Sequence, residues 1–278
     1  MNVIKSEGTK LKAKRAFIKK GTCSRTFFFI LNREFGHPKD EEERALDPLA
    51  GGIMQQGYQC GMLWGAAMAI GAESFRRSKN QGQAIALSIK ATKHMMESFV
   101  NRTDSIECED ITKTDFNNKW SFAKYMLSGK FVSCFTLAGK WAPEAVKAAI
   151  EGLSIENSET AEHAISCATE VVKEMGGSEE EMLMVAGFAG GLGLSGNACG
   201  ALSAAIWKTS LDLVRKENRK PSYNDPASEE ILAKFHEETE YKMECKDICG
   251  KKFTSIDEHT EFINNGGCKK LIHELAKS

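Results

Sequence analysis

Cysteines are the residues of this 278-residue chain whose type and spacing best suit chemistry, and there are nine of them. Eight fall into two ordered sets of four, one in each half of the chain. The sets are Cys23, Cys60, Cys108 and Cys134, followed by Cys167, Cys199, Cys245 and Cys268. Four thiolates that converge can hold a soft metal centre, either a tetrahedral zinc ion or an iron–sulfur cluster. The cysteines therefore predict metal or redox chemistry.

Two glycine-rich stretches that end in Cys-Gly are nearly alike. AGGIMQQGYQCG occupies residues 50–61, and AGGLGLSGNACG occupies residues 189–200, which is 139 positions further along. Six of the twelve positions are identical. The identical pairs are Ala50 and Ala189, Gly51 and Gly190, Gly52 and Gly191, Gly57 and Gly196, Cys60 and Cys199, and Gly61 and Gly200.

The likeness continues on both sides of these stretches. Upstream, residues 38–52 and 177–191 share an acidic run at the same offset, and downstream ECEDITKTDF at 107–116 agrees with ECKDICGKKF at 244–253 in five of ten positions. Ordered recurrence of this kind indicates a tandem duplication. We expect a first four-cysteine helical repeat at 1–153 and a second at 154–278, joined by a short polar connection.

The repeated glycines are the candidate cofactor-binding residues. Backbone without side chains can approach a bulky inorganic cluster closely, and backbone N–H groups aimed at its sulfurs tune its potential. We expect a helix from about Asn197, so that Cys199 lies in a first turn that favours thiolate. The alternative is that the glycines only allow a tight loop and close helix packing. The candidates are Gly51, Gly52, Gly57, Gly61, Gly190, Gly191, Gly196 and Gly200.

The cysteine spacing favours an iron–sulfur cluster over zinc, because neither set contains the tight C-x2-4-C pair typical of small zinc modules. Common ferredoxin spacings are also absent, so separated helices of a substantial core would have to hold the cluster. Two alternatives stay open: a metal-free thiol–disulfide enzyme and a structural zinc protein. Cys245 and Cys249 lie four residues apart and would share a helix face, so Cys245 is the expected ligand and Cys249 a spare thiol or exchange partner.

Apolar residues recur at helical spacing through most of the chain, and no convincing two-residue alternation appears. The fold class predicted is all-α, with two similar helical bundles packed as a pseudo-dimer within one chain. The predicted helices are 11–20, 24–35, 41–54, 59–77, 81–100 and 143–152 in the first half, and 159–175, 179–186, 197–217, 228–241 and 268–277 in the second.

Composition excludes several classes of function. The formal net charge of −1 gives no basic field to gather nucleic acid. The longest apolar run, residues 62–72, is well short of the ~20 residues needed to cross a bilayer, so no membrane insertion is expected. Without a targeting segment, a cytoplasmic location is expected, where thiols stay reduced. No Ser-His-Asp set or paired carboxylates stand out, so catalytic residues stay unknown and enzymatic activity is left open.

With this cysteine order and the Cys-Gly motif, the chain resembles the C_GCAxxG_C_C family of redox-active proteins, whose single unit is about half this length. The second half keeps Cys199, Gly200 and Ala201 but has Ala204 at the last glycine of the motif. The first half reads CGMLWG, with Met62 in place of the alanine. The resemblance implies redox work, with metal-cluster binding. A redox partner protein is expected, and a homo-oligomer is left open.

Overall fold

The computed structural model describes residues 6–116, 118–154, 162–217, 222 and 225–277. These residues form α-helices joined by short turns, and the only β-type pairings among them are two isolated bridges. The all-α prediction of two similar helical units is confirmed. The predicted division at residue 153 stays a prediction, since the connection that follows it lies largely outside the described residues.

The first half contains eight helices within the described residues. They are α1 (Ser6–Lys20), α2 (Cys23–Glu34), α3 (Asp40–Arg44), α4 (Gly61–Arg77), α5 (Gln81–Thr103), α6 (Cys108–Thr112), α7 (Lys119–Leu127) and α8 (Phe131–Gly152), with a 3-10 turn at Asp47–Leu49. Helices α1, α2, α4, α5 and α8 pack side by side as a bundle. Small residues on α4 allow this, as at Gly65, where a Cβ would lie 1.9 Å from the Ser24 carbonyl oxygen.

The second half repeats the order. They are α9 (Cys167–Glu174), α10 (Glu179–Met184), α11 (Gly200–Glu217), α12 (Pro226–Thr239), α13 (Cys245–Cys249), α14 (Ile256–Asn264) and α15 (Lys269–Ala276), with a 3-10 turn at Ala186–Phe188. The sequence offset pairs α3 with α10, α4 with α11, α6 with α13 and α7 with α14. Helices α9, α11, α12 and α15 form the second bundle.

Several predicted helix limits were wrong. The helix expected over 41–54 ends at Arg44, and the one expected from 143 begins at Phe131 with Pro143 inside it. Helices α6, α7, α13 and α14 were not predicted. The predicted helix over 159–175 begins only at Cys167, and residues 159–161 lie outside the described residues.

A run of five left-handed residues replaces the end of the first wrong helix. Residues 51–55 all have positive φ, and residues 190–194 repeat the run at equivalent positions. Because Ile53, Met54 and Leu192 carry side chains, each costs roughly 1–2 kcal/mol in this conformation. Cross-loop bonds hold the runs closed, such as Gly57 N–H to the Gly51 carbonyl at 3.1 Å and Gly196 N–H to the Gly190 carbonyl at 2.9 Å. We call residues 51–55 and 190–194 the left-handed loops.

Each unit packs against the other through the same pair of equivalent elements. Helix α3 and the turn after it pack on α11, while α10 and the turn after it pack on α4. The Trp207 indole N–H donates to the Glu42 carbonyl at 3.3 Å, and the Trp64 ring meets the Phe188 ring edge-on at 4.8 Å. This arrangement is the predicted pseudo-dimer within one chain.

Within the ranges given above, no helix has both the length and the apolar composition that crossing a membrane requires.

Candidate functional site

The four cysteines of the first set line one cavity of about 280 Å³. Cys60 and Cys108 are buried, whereas Cys23 and Cys134 are partly exposed. The sequence places them 37, 48 and 26 residues apart in turn. The fold therefore gathers residues that no short motif connects.

An antiparallel bridge brings Cys60 and Cys108 together. The Cys60 N–H donates to the Ile106 carbonyl at 2.8 Å, and the Cys108 N–H donates to the Tyr58 carbonyl at 2.7 Å. Cys60 is thereby placed immediately before α4, and Cys108 opens α6.

A buried ion network fixes α2, whose first residue is Cys23. The Arg25 guanidinium pairs with Glu43 and with Asp47, both at 3.1 Å, and all three side chains are buried. The Thr22 hydroxyl, next to Cys23, donates to Asp47 at 2.8 Å. The acidic run at the start of α3 therefore also fixes the position of the first cysteine.

Hydrogen bonds give the four thiols of the first set different pKa values. The Cys60 thiol bonds to the Cys23 sulfur and holds the pKa of Cys23 below its usual value against burial, helped by the Gly51 N–H. The same bond, together with burial, raises the pKa of Cys60. Burial raises the pKa of Cys108. It also raises that of Cys134, although the Tyr125 hydroxyl, 3.4 Å from the Cys134 sulfur, opposes it.

The first-unit glycines differ in what they do. Gly51 lines the cavity and directs its N–H at Cys23. A Cβ on Gly61 would lie 2.6 Å from the Cys23 sulfur, so the motif glycine keeps space for that cysteine. Gly52 serves the loop, since its Cβ would lie 2.4 Å from the Tyr58 backbone, and Gly57 accepts the Glu109 N–H at 2.9 Å.

The second unit gathers five cysteines around a nearly closed space of about 10 Å³. They are Cys167, Cys199, Cys245, Cys249 and Cys268. Cys199 and Cys245 are joined as in the first unit, with the Cys199 N–H on the Met243 carbonyl at 3.0 Å and the Cys245 N–H on the Asn197 carbonyl at 2.7 Å. Cys249 thus lines this space together with the other four cysteines. The first unit has Thr112 at the equivalent position.

Three of these sulfurs form a chain of contacts. The Cys249 sulfur lies 3.8 Å from that of Cys245 and 3.6 Å from that of Cys268. The bond to Cys245 and burial raise the pKa of Cys249 to about 12, although Cys268 opposes the shift. Burial raises the pKa of Cys167 to about 12, against the N–H of Gly190, and it also raises that of Cys199.

Three of the second-unit glycines match their first-unit counterparts, and Gly200 differs from Gly61 because it makes room for Phe188 rather than for a cysteine sulfur. Gly190 directs its N–H at Cys167 as Gly51 does at Cys23. A Cβ on Gly191 would lie 2.4 Å from the Asn197 carbonyl oxygen, and one on Gly200 would lie 1.8 Å from the Phe188 carbonyl oxygen. Gly196 accepts the Lys246 N–H at 2.9 Å. The helix expected from Asn197 begins only at Gly200, because the bridge to α13 uses the residues before it.

A known family covers both units. The family described as "Putative redox-active protein (C_GCAxxG_C_C)" matches residues 22–147 and again residues 162–278. The chain belongs to the C_GCAxxG_C_C family. The double match supports the predicted tandem duplication and a redox role. No curated protein and no solved structure matched the chain.

Sequence reasoning missed the aromatic wall that faces the cysteines of the first C_GCAxxG_C_C unit. Phe116, Phe122 and Tyr125 come from α7 and the segment before it, while Phe131 and Phe135 come from α8. Phe116 and Tyr125 meet edge-on, with ring centroids 5.5 Å apart. Their spacing along the chain could have indicated an apolar face, but not the cavity that it covers.

The two C_GCAxxG_C_C units also meet close to their cysteines. Gln59, fully buried beside Cys60, donates from Nε2 to the Gly191 carbonyl at 3.2 Å. Glu107, which precedes Cys108, is raised in pKa to about 7 by burial and by the nearby Glu244. The equivalent glutamates of the two bridges therefore face each other across the boundary between the units.

The arrangement of the thiols limits the kind of centre that they could hold. Throughout the described ranges, no three His, Cys, Asp or Glu side chains stand close enough to hold a single metal ion. In the first unit the four thiols instead surround a space wider than one ion. The thiol donors and the N–H group directed at Cys23 fit a polynuclear iron–sulfur centre. In both units the sulfurs already in contact, Cys23 with Cys60 and Cys249 with Cys245 and Cys268, would have to move apart to hold one.

Proposed function

We propose that this protein binds iron–sulfur clusters through its two sets of four cysteines. Its role would be electron transfer, or the redox component of a larger enzyme. The observation that carries the proposal is the first cavity, where four cysteines from four separate segments of the chain surround one space. Soft thiolate donors favour iron–sulfur centres, and a cluster held in this way needs no tight cysteine pair.

The backbone around Cys23 and Cys167 supports the same conclusion. In each unit a left-handed loop presents a glycine N–H to the first cysteine of the set. Such N–H groups stabilise charge on sulfur and thereby adjust the reduction potential of a cluster. The left-handed loops carry backbone strain, and each unit has one. Placing an N–H group beside a cysteine explains this strain better than chain reversal alone does.

Reduced thiols and cluster chemistry suit the cytoplasm, which we propose as the location. An iron–sulfur protein of this kind exchanges electrons with other molecules, so a redox partner protein is part of the proposal. We expect neither nucleic acid nor lipid to be that partner. The duplicated unit already supplies an internal pseudo-dimer, and a homo-oligomer would add a further interface.

Metal analysis tests the proposal directly. The protein would be purified without oxygen, and iron, zinc and acid-labile sulfide would be measured per chain beside the visible spectrum. We expect iron with matching sulfide and absorption between the violet and the red. Cys60→Ser should remove the first centre and Cys199→Ser the second, while Cys249→Ser, the matched control outside the family set, should keep both. Reconstituted protein without iron, or with zinc alone, would contradict the proposal.

A second candidate function is metal-free thiol–disulfide exchange in the second unit. The contacts from Cys249 to Cys245 and Cys268 favour it, since paired thiols at this distance can close to a disulfide. Two thiols would give two electrons and two protons to an acceptor disulfide, which would leave as two thiols. Alkylation and mass mapping across a series of glutathione potentials should then show one reversible disulfide that includes Cys249. Its absence at every potential would remove this candidate.

A further inference from the structure

The cavities of the two units have equivalent walls but very different volumes. Ile111, Phe116 and Met126 line the first cavity, and their counterparts 137 positions later, Ile248, Phe253 and Ile263, line the second. The first encloses about 280 Å³ and the second about 10 Å³. Equivalent residues thus line spaces of very different size, and the helices that cover them, α7 and α14, are one place where the two units differ.

Polar contacts of His259 and Thr260 with Ile165, which we call the latch, hold α14 against the start of the second site. The ring Nδ1 of His259 lies 3.2 Å from the Ile165 carbonyl oxygen, and the Ile165 N–H donates to the Thr260 hydroxyl at 3.1 Å. Ile165 comes two residues before Cys167, so these bonds tie α14 to the start of the second site. His259 is 1% exposed and packs edge-on against Phe253, with ring centroids 4.9 Å apart.

The first unit lacks the residues for such a latch. At the positions equivalent to His259 and Thr260 it has Phe122 and Ala123, whose side chains carry no polar atom. The counterpart of Ile165 is Gly21, whose N–H already donates to the Phe17 carbonyl at 2.8 Å. Helix α7 therefore covers the first cavity through aromatic contacts and through the Tyr125 hydroxyl beside the Cys134 sulfur.

The lining of the first cavity indicates what it can accept. Apart from the cysteines, its walls are chiefly aromatic and aliphatic, and no Lys, Arg, Asp or Glu contributes to them among the described residues. An apolar cavity of ~150 Å³ can already hold a benzene-sized molecule. A charged molecule would lose its hydration there without a partner, whereas an uncharged apolar one gains from burial.

We propose that the first cavity is a binding site for a small, uncharged, largely apolar molecule, held beside the four cysteines beneath α7. The latched α14 closes the equivalent place in the second unit. The duplication has thus produced one site that receives a ligand and one that does not. The first cluster is proposed to occupy the same cavity, so the inference deepens that proposed function and rests on it: the cluster would lie at the four sulfurs and the ligand against the rings of α7 and α8.

Indole is a suitable probe, since it is uncharged and aromatic. Its binding to the protein as purified without oxygen would be followed by calorimetry and by saturation-transfer NMR. We expect one saturable site per chain. Ile111→Phe places a ring in the first cavity and should weaken indole binding by more than about tenfold. The matched variant Ile248→Phe changes the second unit and should leave binding unchanged.

Opening the latch gives an independent readout. The double variant His259→Phe and Thr260→Ala copies the first-unit residues into α14, and it should raise the number of indole sites from one to two. No saturable indole binding to the wild-type protein, or equal loss in Ile111→Phe and Ile248→Phe, would overturn the proposal. Metal and sulfide analysis of the same samples keeps failure of the cluster proposal separate from failure of this one.

Discussion

The buried His259 should make the stability of the chain depend on pH in a defined window. Burial lowers the pKa of His259 from 6.5 to about 4, although its bond with the Ile165 carbonyl opposes the shift. A histidine whose pKa is lower in the folded state takes up a proton more readily when the chain unfolds. Its contribution to stability is therefore complete above about pH 6.5 and is lost as the pH falls towards 4.

The size of the effect follows from the shift in pKa. Each pKa unit corresponds to about 1.4 kcal/mol, so full loss amounts to about 3 kcal/mol. Between about pH 7.5 and about pH 5, the free energy of unfolding should fall by about 2 kcal/mol on account of this residue alone. His259→Asn keeps an N–H donor for the Ile165 carbonyl but cannot titrate, so it should lack this part of the pH dependence.

Urea unfolding at a series of pH values, followed by circular dichroism, would measure the difference between the wild-type protein and His259→Asn. The control is His163→Asn, which changes an exposed histidine of the same unit and should keep the wild-type pH dependence. Parallel curves for the wild-type protein and His259→Asn would refute the reasoning, since they would mean that His259 is not buried in its neutral form.

Two further predictions concern buried polar contacts near the cysteines. Arg25→Ala takes the guanidinium from the buried Glu43, which keeps its ion pair with Lys20, and should cost about 2–3 kcal/mol, whereas Arg102→Ala, which breaks an exposed ion pair, should cost at most about 1 kcal/mol. Equal losses in urea unfolding would contradict this contrast. Gln59→Leu removes the donor to the buried Gly191 carbonyl and should cost about 1–3 kcal/mol, measured in the same way. An unchanged midpoint of urea unfolding would show that this hydrogen bond contributes nothing to the packing of the two units against each other.

The cysteine sets could be predicted from sequence because duplication left the same residues at nearly constant offsets. The fold gathers Cys23, Cys60, Cys108 and Cys134 around one cavity, and their role as ligands stays a prediction. The same offset pairs Cys249 with Thr112, which marks Cys249 as extra. Its contacts with Cys245 and Cys268 depend on α14 and α15, whose approach no local pattern reveals.

The wrong helix over 41–54 has a physical cause. Ile53 and Met54 favour ordinary right-handed or extended backbone, so local propensity gives no sign of a left-handed run. The run is stabilised by tertiary contacts, including the bridge that joins Tyr58 and Cys108. Likewise, the closed state of the second cavity depends on His259 and Ile165, which lie 94 positions apart in the sequence.

The left-handed loops have a consequence for chirality. Residues 51–55 and 190–194 trace, for one turn each, the mirror image of the backbone that L-amino acids prefer. At Gln55, which is left-handed but only partly buried, a D-enantiomer would therefore relieve backbone strain that the natural residue must bear. In a chain assembled by chemical ligation, this is the place where an inverted stereocentre should strengthen the fold, whereas at the fully buried Ile53 and Leu192 it would move the side chain out of the core. The L-configuration of the amino acids thus destabilises the loops that approach Cys23 and Cys167.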